Sequence, residues 1–130
     1  MVEARIRVIY GDTDQMGVVY YANYLRYFEL GRSEYFRQKG GSYREMEAAG
    51  LRLPVVEAHA NYRASAKYDD LLLVRTEIDE LRRASVIFRY AIVREGEDAV
   101  LSTGHTVHAC INADGKPVPL PSQVRELLAR

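Results

Sequence analysis

Two carboxylates separated by one residue stand near the start of the chain. Asp12 and Asp14 belong to residues 10–24 (YGDTDQMGVVYYANY), a loop-like segment that contains Gly17 and leads into a helical pattern from Asn23. At the start of a helix, unpaired backbone N–H groups and the positive end of the helix dipole favour an oxygen anion or a polarised carbonyl. A carboxylate beside such donors suggests acyl chemistry, with the carboxylate as nucleophile or general base.

The same spacing has two other interpretations. A calcium loop would need a third acid at position 16 and a glutamate at position 23, but the chain has Met16 and Asn23 there, so calcium is not expected. Alternatively, both aspartates shape the turn through hydrogen bonds to nearby backbone N–H groups. Spacing alone leaves the catalytic and the turn-shaping interpretations open.

Length and composition predict one domain, residues 1–130. With 48% hydrophobic residues, 130 residues can form a core but are few for a self-contained enzyme pocket. Eighteen basic and eighteen acidic residues cancel, so we expect neither nucleic-acid binding nor attraction to an anionic membrane. An active site shared between subunits would fit such a small neutral domain.

Cysteine and histidine content predicts a cytoplasmic protein without a metal site. Cys110 is the only cysteine, the N-terminus has no apolar core of signal-peptide length, and no run approaches the roughly 18 apolar residues of a membrane span. The three histidines lie in strand-like stretches without metal-ligand spacing, and we interpret them as structural: His59, His105 and His108.

Hydrophobic periodicity predicts the order of the elements. Residues 3–10 alternate as a half-buried strand whose inward side chains are Ala4, Ile6, Val8 and Tyr10. Residues 23–39 then follow a helical period. Its expected inward positions are Tyr24, Leu25, Phe28, Gly31, Tyr35 and Phe36. A glycine inside a helix costs about 1 kcal/mol against alanine, so Gly31 indicates a place where another backbone packs closely.

The rest of the chain predicts a short helix, four strands and a closing helix. Gly40 and Gly41 end the long helix, and Ser42 with Glu45 forms a capping box for residues 43–49. Strand patterns follow, the first with Val56, Ala58, Ala60 and Tyr62 inward and the others near residues 72–78, 86–93 and 99–111. The closing helix begins near residue 121. This order predicts an α+β fold in which an antiparallel five-stranded sheet wraps around one long helix.

The quoted loop also resembles a known family. Residues 10–25 and 29–34 (ELGRSE), with a second block at residues 60–71 (ANYRASAKYDDL) and 80–85 (ELRRAS), are similar to the 4-hydroxybenzoyl-CoA thioesterase family and its Tol-Pal-associated acyl-CoA thioesterase branch. The resemblance covers nearly the whole chain. It implies a hotdog fold, an acyl-CoA substrate, no cofactor, and subunits that pair as a homodimer or homotetramer with the active site at the interface.

The resemblance also implies roles for individual residues. It makes Asp14 the catalytic carboxylate and the backbone N–H of Tyr21 the donor that polarises the thioester oxygen. Tyr10 matches a tyrosine close to the site of the Tol-Pal-associated branch, although the strand pattern also allows an inward core position. At position 21 that branch carries histidine and the 4-hydroxybenzoyl-CoA enzyme carries tyrosine, so the substrate of neither branch transfers to this chain.

The remaining expectations concern the thiol carrier and the reaction class. Arg82 and Arg83 match a basic cluster that binds nucleotide phosphates in the family, while a solvated hairpin loop is the other interpretation; Arg63 and Lys67 are weaker candidates. A non-catalytic acyl-binding protein would keep the pocket without needing the catalytic aspartate. A hydratase or dehydratase would need a histidine paired with an acid, and the loop and long helix contain no histidine.

Overall fold

The computed structural model describes residues 1–41 and 43–130, in which five strands form one antiparallel sheet. The strands are β1 (Val2–Arg7), β2 (Val55–Tyr62), β3 (Leu71–Leu81), β4 (Ser85–Arg94) and β5 (Val100–Ala109), arranged β1-β3-β4-β5-β2. The helices are α1 (Asn23–Gln38), α2 (Tyr43–Ala48) and α3 (Ser122–Leu128), and a 3-10 helix spans Tyr10–Asp12. The predicted α+β hotdog arrangement is confirmed.

The core lies between α1 and one face of the sheet. Phe28 stacks on Tyr90 of β4 with ring centroids 4.5 Å apart. The side chains that α1 buries are those of Tyr24, Tyr27, Phe28, Tyr35 and Phe36. The prediction that Leu25 faces inward is wrong, since its side chain is 40% exposed. Tyr27 is buried instead, because its hydroxyl finds a hydrogen-bond partner in the Asp12 carboxylate.

The first strand is shorter than its alternation predicted. β1 ends at Arg7, and the backbone N–H of Val8 donates to the carbonyl of Asp70 at 2.9 Å. The chain then turns into the 3-10 helix, in which Tyr10 is 79% exposed. Both the extension of the strand to Tyr10 and the inward core position of Tyr10 are therefore wrong.

Strand β2 is the exposed edge of the sheet, and its pattern also differs from the prediction. A bulge between Val55 and Glu57 places Val55 opposite the buried His108, whereas Val56 is 58% exposed. The expected inward position of Val56 is thus wrong, because one extra residue in a bulge shifts the alternation. Ala58 and Tyr62 were also expected inward and are exposed too, because β2 is an edge strand; of the four, Ala60 packs partly against the core. Along its length β2 remains largely open to solvent.

The helix ends agree with the sequence patterns. α1 stops before Gly40, which adopts a positive φ of 97°. The proposed cap at Ser42 lies outside the described residues, and α3 begins one residue after Pro121.

None of the helices in the described ranges has both the length and the apolar composition needed to cross a bilayer.

At Gly31, α1 packs tightly against β3, and the atoms it meets belong to side chains of the strand and not, as predicted, to another backbone. A Cβ at this position would lie 2.5 Å from Oγ1 of Thr76 and 2.8 Å from Cγ1 of Val74, so helix and strand can meet only where no side chain intervenes. Thr76 and Val74 are both fully buried on β3. Neither can move aside without disturbing the core.

We expect Gly31→Val to lower the free energy of unfolding by about 1–3 kcal/mol through overpacking. Valine has a better helix propensity than glycine, so a loss of stability reports the steric clash and not weaker helix formation. Urea denaturation would measure it. Gly11→Val is the matched control, because no heavy atom lies within 4 Å of a Cβ at Gly11. Equal stability of the two variants would contradict the close packing.

Candidate active site

The two aspartates of the loop occupy different environments. Asp12 is buried, with 2% exposure, and its carboxylate has three donors. Oδ1 accepts from Arg26 at 3.1 Å, and Oδ2 accepts from the Tyr27 hydroxyl at 2.9 Å and from the Ile9 N–H at 3.2 Å. Burial, the hydrogen bond to Asp12 and the negative charge of Asp12 raise the pKa of Tyr27. With its oxygens occupied, Asp12 holds structure and is not available for chemistry.

The backbone of Asp12 ties the loop to the helix a second time. Its carbonyl accepts from the Tyr20 N–H and from Nδ2 of Asn23, both at 2.9 Å. Asn23 is the first residue of α1. Asp12 therefore fixes the position of the helix start relative to the loop through side chain and main chain together.

Asp14 closes a turn and keeps one carboxylate oxygen free. Its Oδ1 accepts from the Met16 N–H at 2.9 Å, and its carbonyl accepts from the N–H of Gly17 at 3.0 Å. Gly17 supplies the positive φ of 80° that the turn requires. Within the described residues, Oδ2 of Asp14 has no hydrogen-bond partner. Turn-shaping and a reactive carboxylate are thus compatible in Asp14.

Asp14 lies at the boundary between two surface clefts. One cleft, of about 410 Å³, is lined by Asp14 and Met16, by the aromatic side chains of Tyr21 and Tyr62, and by the loop that follows β2. The other, of about 540 Å³, is lined by Asp14, Tyr10 and Tyr68. The predicted site residues Asp14, Tyr21 and Tyr10 therefore lie in one neighbourhood, since Asp14 lines both clefts, Tyr21 one of them and Tyr10 the other.

Tyr21 lies two residues before the first residue of α1, whereas its N–H was expected at the helix start itself. Its side chain is 60% exposed, and no acceptor contacts its N–H among the residues that the structure describes. The same is true of the N–H of Ala22, which already has helical angles (φ −65°, ψ −23°). Two consecutive backbone donors, one more than the resemblance implies, therefore have no acceptor in the described ranges, and the first of them belongs to Tyr21, which lines the Asp14 cleft.

Arg82 and Arg83 lie far from Asp14 in the same chain. Strand β3 begins at Leu71, which pairs with Arg7 just before the acidic loop, and ends at Leu81 next to the two arginines. At 3.3 Å per residue this strand separates the two ends by roughly 30 Å. Arg82 also pairs with Glu80 at 2.9 Å. A single subunit does not bring the arginines and the carboxylate together.

Arg63 and Lys67 follow β2 on a loop that packs against the acidic loop. Arg63 lines the 410 Å³ cleft, and the backbone N–H of Lys67 donates to Asp70 at 2.8 Å. Between them, the Ala66 carbonyl accepts from the Val19 N–H at 2.8 Å, and the Ala66 N–H donates to the Tyr24 hydroxyl at 3.1 Å. The second sequence block therefore forms a wall of the cleft.

The histidines lie away from this cleft. His108 is buried, with Nδ1 2.9 Å from the Leu53 carbonyl and Nε2 2.8 Å from Oγ1 of Thr106, and burial lowers the pKa of His108 to about 4. His59 and His105 face each other on β2 and β5 with stacked rings 5.2 Å apart. Across residues 1–41 and 43–130, no group of three or more His, Cys, Asp or Glu side chains could hold a metal ion.

Comparison with known proteins identifies the family. The model of the thioesterase-like superfamily matches residues 8–128. The chain belongs to this superfamily. The acyl-CoA thioesterase YbgC of Haemophilus influenzae is 37% identical over 122 residues, which cover 92% of this chain and 88% of that protein.

Solved thioesterase structures share this fold over nearly the whole chain. The DHNA-CoA thioesterase of Staphylococcus aureus has a TM-score of 0.92 at 32% identity, covering 98% of this chain and 87% of that one. A 4-hydroxybenzoyl-CoA thioesterase, solved as an Asp-to-Asn variant with 4-hydroxybenzoyl-CoA, has a TM-score of 0.87 at 26% identity, with 98% and 97% coverage. The predicted resemblance to this thioesterase family is confirmed.

The contrast between the two aspartates gives a test. Asp12→Asn removes a buried charge that holds Arg26 and Tyr27, so we expect the free energy of unfolding to fall by about 1.5–3 kcal/mol. Asp14→Asn keeps an amide oxygen for the Met16 N–H and should change stability by less than about 0.5 kcal/mol. Thermal unfolding of both variants checks this, and a larger loss in Asp14→Asn would reverse the assigned roles.

Proposed function

We propose that Asp14 is the catalytic carboxylate of this chain, an acyl-CoA thioesterase that hydrolyses its substrate to a free acid and CoA. The observation that carries this proposal is that, among the described residues, one carboxylate oxygen of Asp14 and the backbone N–H groups of Tyr21 and Ala22 have no partner beside the same cleft. The other carboxylate of the motif, Asp12, is engaged by its own partners. The names of the relatives support the reaction class, and the geometry supports the choice of residue.

The chemistry requires a group that attacks or activates and a group that stabilises negative charge. Asp14 either attacks the thioester carbonyl, expelling the CoA thiolate and leaving an acyl anhydride for water to cleave, or takes a proton from the attacking water. In both routes the carbonyl oxygen gains negative charge. The N–H groups of Tyr21 and Ala22 would stabilise that charge, and one such donor is typically worth roughly 100- to 1000-fold in rate.

The exposed edge of the sheet supports a dimer as part of this proposal. Within residues 1–41 and 43–130, one edge of β2 pairs with no other strand, and Val55, Val56 and Tyr62 on β2 are each about half exposed. Open strand edges are sites where a second chain adds hydrogen bonds. A second copy pairing its own β2 antiparallel to this one would cover these side chains and extend the sheet.

Such pairing would also supply the missing basic residues. Because antiparallel β2 strands run in opposite directions, the end of the partner sheet that carries Arg82 and Arg83 would lie at the end where Asp14 lies in this chain. Three strand spacings, about 15 Å, would separate β2 from the partner's β4. The pantetheine arm of CoA joins a thioester to its phosphates over a distance of this order, so a shared site accounts for both ends of the substrate.

The cellular setting follows from the same proposal. Cys110 is a free, buried thiol, which suits the reducing cytoplasm. A cytoplasmic acyl-CoA pool would provide the substrate.

The central prediction concerns Asp14→Asn. This substitution keeps the turn but removes the nucleophile or base, so hydrolysis should fall by at least roughly 100-fold. Release of CoA thiol from short aliphatic, long aliphatic and aromatic acyl-CoAs would measure the loss. The wild type should cleave at least one of these. Near-normal turnover in the variant would remove Asp14 from the mechanism, and no release by the wild type would favour a non-catalytic acyl-binding protein.

The shared site predicts the behaviour of mixed dimers. Subunits carrying Asp14→Asn are combined with subunits carrying Arg82→Ala and Arg83→Ala, and the heterodimer is isolated through two different tags. In a shared site, one of the two centres regains both a normal Asp14 and normal arginines. The heterodimer should then show about half of the wild-type kcat with the wild-type KM.

The other outcomes of this experiment are distinct. A heterodimer with the raised KM of the arginine variant would place the arginines and Asp14 of one subunit in the same centre. An unchanged KM in the arginine variant itself would return Arg82 and Arg83 to a solvated loop. Sedimentation of the wild type at micromolar concentration separates a dimer from a tetramer, and an active monomer would refute the shared site.

A further inference from the structure

The peptide group between Tyr21 and Ala22 has an unusual set of partners. Its carbonyl oxygen accepts from the Tyr62 hydroxyl at 3.1 Å and from the Tyr24 N–H at 3.2 Å. Its N–H, which belongs to Ala22, has no acceptor within the described part of the chain. Hydrogen bonds accepted at the oxygen of a peptide polarise the group and make its N–H a stronger donor.

Tyr62 is held in place for this contact although it stands on the exposed edge strand. Its ring packs edge-on against Tyr24, with centroids 5.2 Å apart, and against Tyr21 at 6.2 Å. Tyr24 is in turn buried, and its hydroxyl accepts from the Ala66 N–H. Burial raises the pKa of Tyr62, so the hydroxyl keeps its proton at neutral pH.

The direction of the contact follows from the local backbone. Ala22 has helical angles, and the first N–H groups of a helix point out of its N-terminal end, where no carbonyl of the same helix can reach them. The hydrogen bond from Tyr62 joins the end of β2 to this turn across 41 positions of sequence. Without it, the Tyr21–Ala22 peptide would be tied only to α1.

We propose that Tyr62 is a positioning residue, whose hydroxyl orients and polarises the Tyr21–Ala22 peptide so that the Ala22 N–H acts with the Tyr21 N–H on the thioester oxygen. This inference rests on the proposed function of the Asp14 cleft and adds a second oxyanion donor and the side chain that sets it. Tyr62 lines the same cleft as Asp14. Its role is exerted through the backbone and requires no contact with the substrate.

The test is Tyr62→Phe, which keeps the ring packing and removes the hydroxyl. A weakened donor should cost less than a deleted one, so we expect kcat to fall about tenfold with KM for acyl-CoA unchanged. Two acyl-CoA analogues give a second readout. An analogue with a trifluoromethyl ketone in place of the thioester mimics the tetrahedral oxyanion, and its binding should weaken by the same factor. A thioether analogue, which lacks the carbonyl, should bind Tyr62→Phe with the same affinity as it binds the wild type.

The matched control is Tyr35→Phe. Tyr35 also donates its hydroxyl to a backbone carbonyl, that of Leu128 at 3.3 Å, but it lies near the other end of α1. Its loss should lower stability without changing kcat or the ratio of the two analogue affinities. That ratio does not depend on the folded fraction, so it also separates an effect on the site from partial unfolding of Tyr62→Phe.

The outcomes distinguish this inference from the proposed function. If Tyr62→Phe keeps the kcat and the analogue ratio of the wild type while Asp14→Asn is inactive, the positioning role of Tyr62 is overturned but the proposed function is not. A raised KM with unchanged kcat would make Tyr62 a substrate contact and would also overturn it. Normal activity in Asp14→Asn would instead refute the site on which the inference rests.

Discussion

The hydrogen bonds of the buried Asp12 carboxylate are the interactions on which the rest of the site depends. It is nearly inaccessible to water and satisfies donors from the loop before it and from α1 after it. A buried charge is tolerated only when it is paired and hydrogen-bonded, so loop and helix are constrained to meet at this point. That constraint places Asp14, two residues later, beside the start of α1, where two backbone N–H groups have no acceptor in the part of the chain that the structure describes.

The two aspartates lie in different environments, and their spacing in the sequence does not show this difference. Both stand in the same short motif, yet the side-chain partners of Asp12 are Arg26 and Tyr27, which reach it only after the chain has turned back as a helix. The free oxygen of Asp14 results from the opposite situation, because its turn engages one oxygen and leaves the other at a cleft. The sequence shows that two carboxylates are present, and burial in the folded chain decides which of them can react.

Much of the fold was predictable from the sequence, because periodicity records which face of each element is covered. The order of elements, the single long helix and the close packing at Gly31 all follow from such patterns. The errors occur where a tertiary contact overrides the local pattern. Tyr10 continues the alternation of β1 but is exposed because the chain turns after Arg7, and Tyr27 is buried because Asp12 satisfies its hydroxyl.

The candidate site was predictable only in its chain-local parts, and the reason is the shape of the sheet. Asp14, Tyr10 and Tyr21 are close in sequence and remain close in space, whereas Tyr62 reaches Tyr21 only because β2 ends beside the start of α1. Arg82 and Arg83 lie at the far end of β3 from Asp14. If a second copy paired antiparallel at β2, its own arginines would lie at the end of the sheet where Asp14 lies. In the proposed shared site, a sheet with an open edge at β2 would carry one half of the binding site at each end. Closing that edge with an identical partner is the simplest arrangement that completes both halves at once.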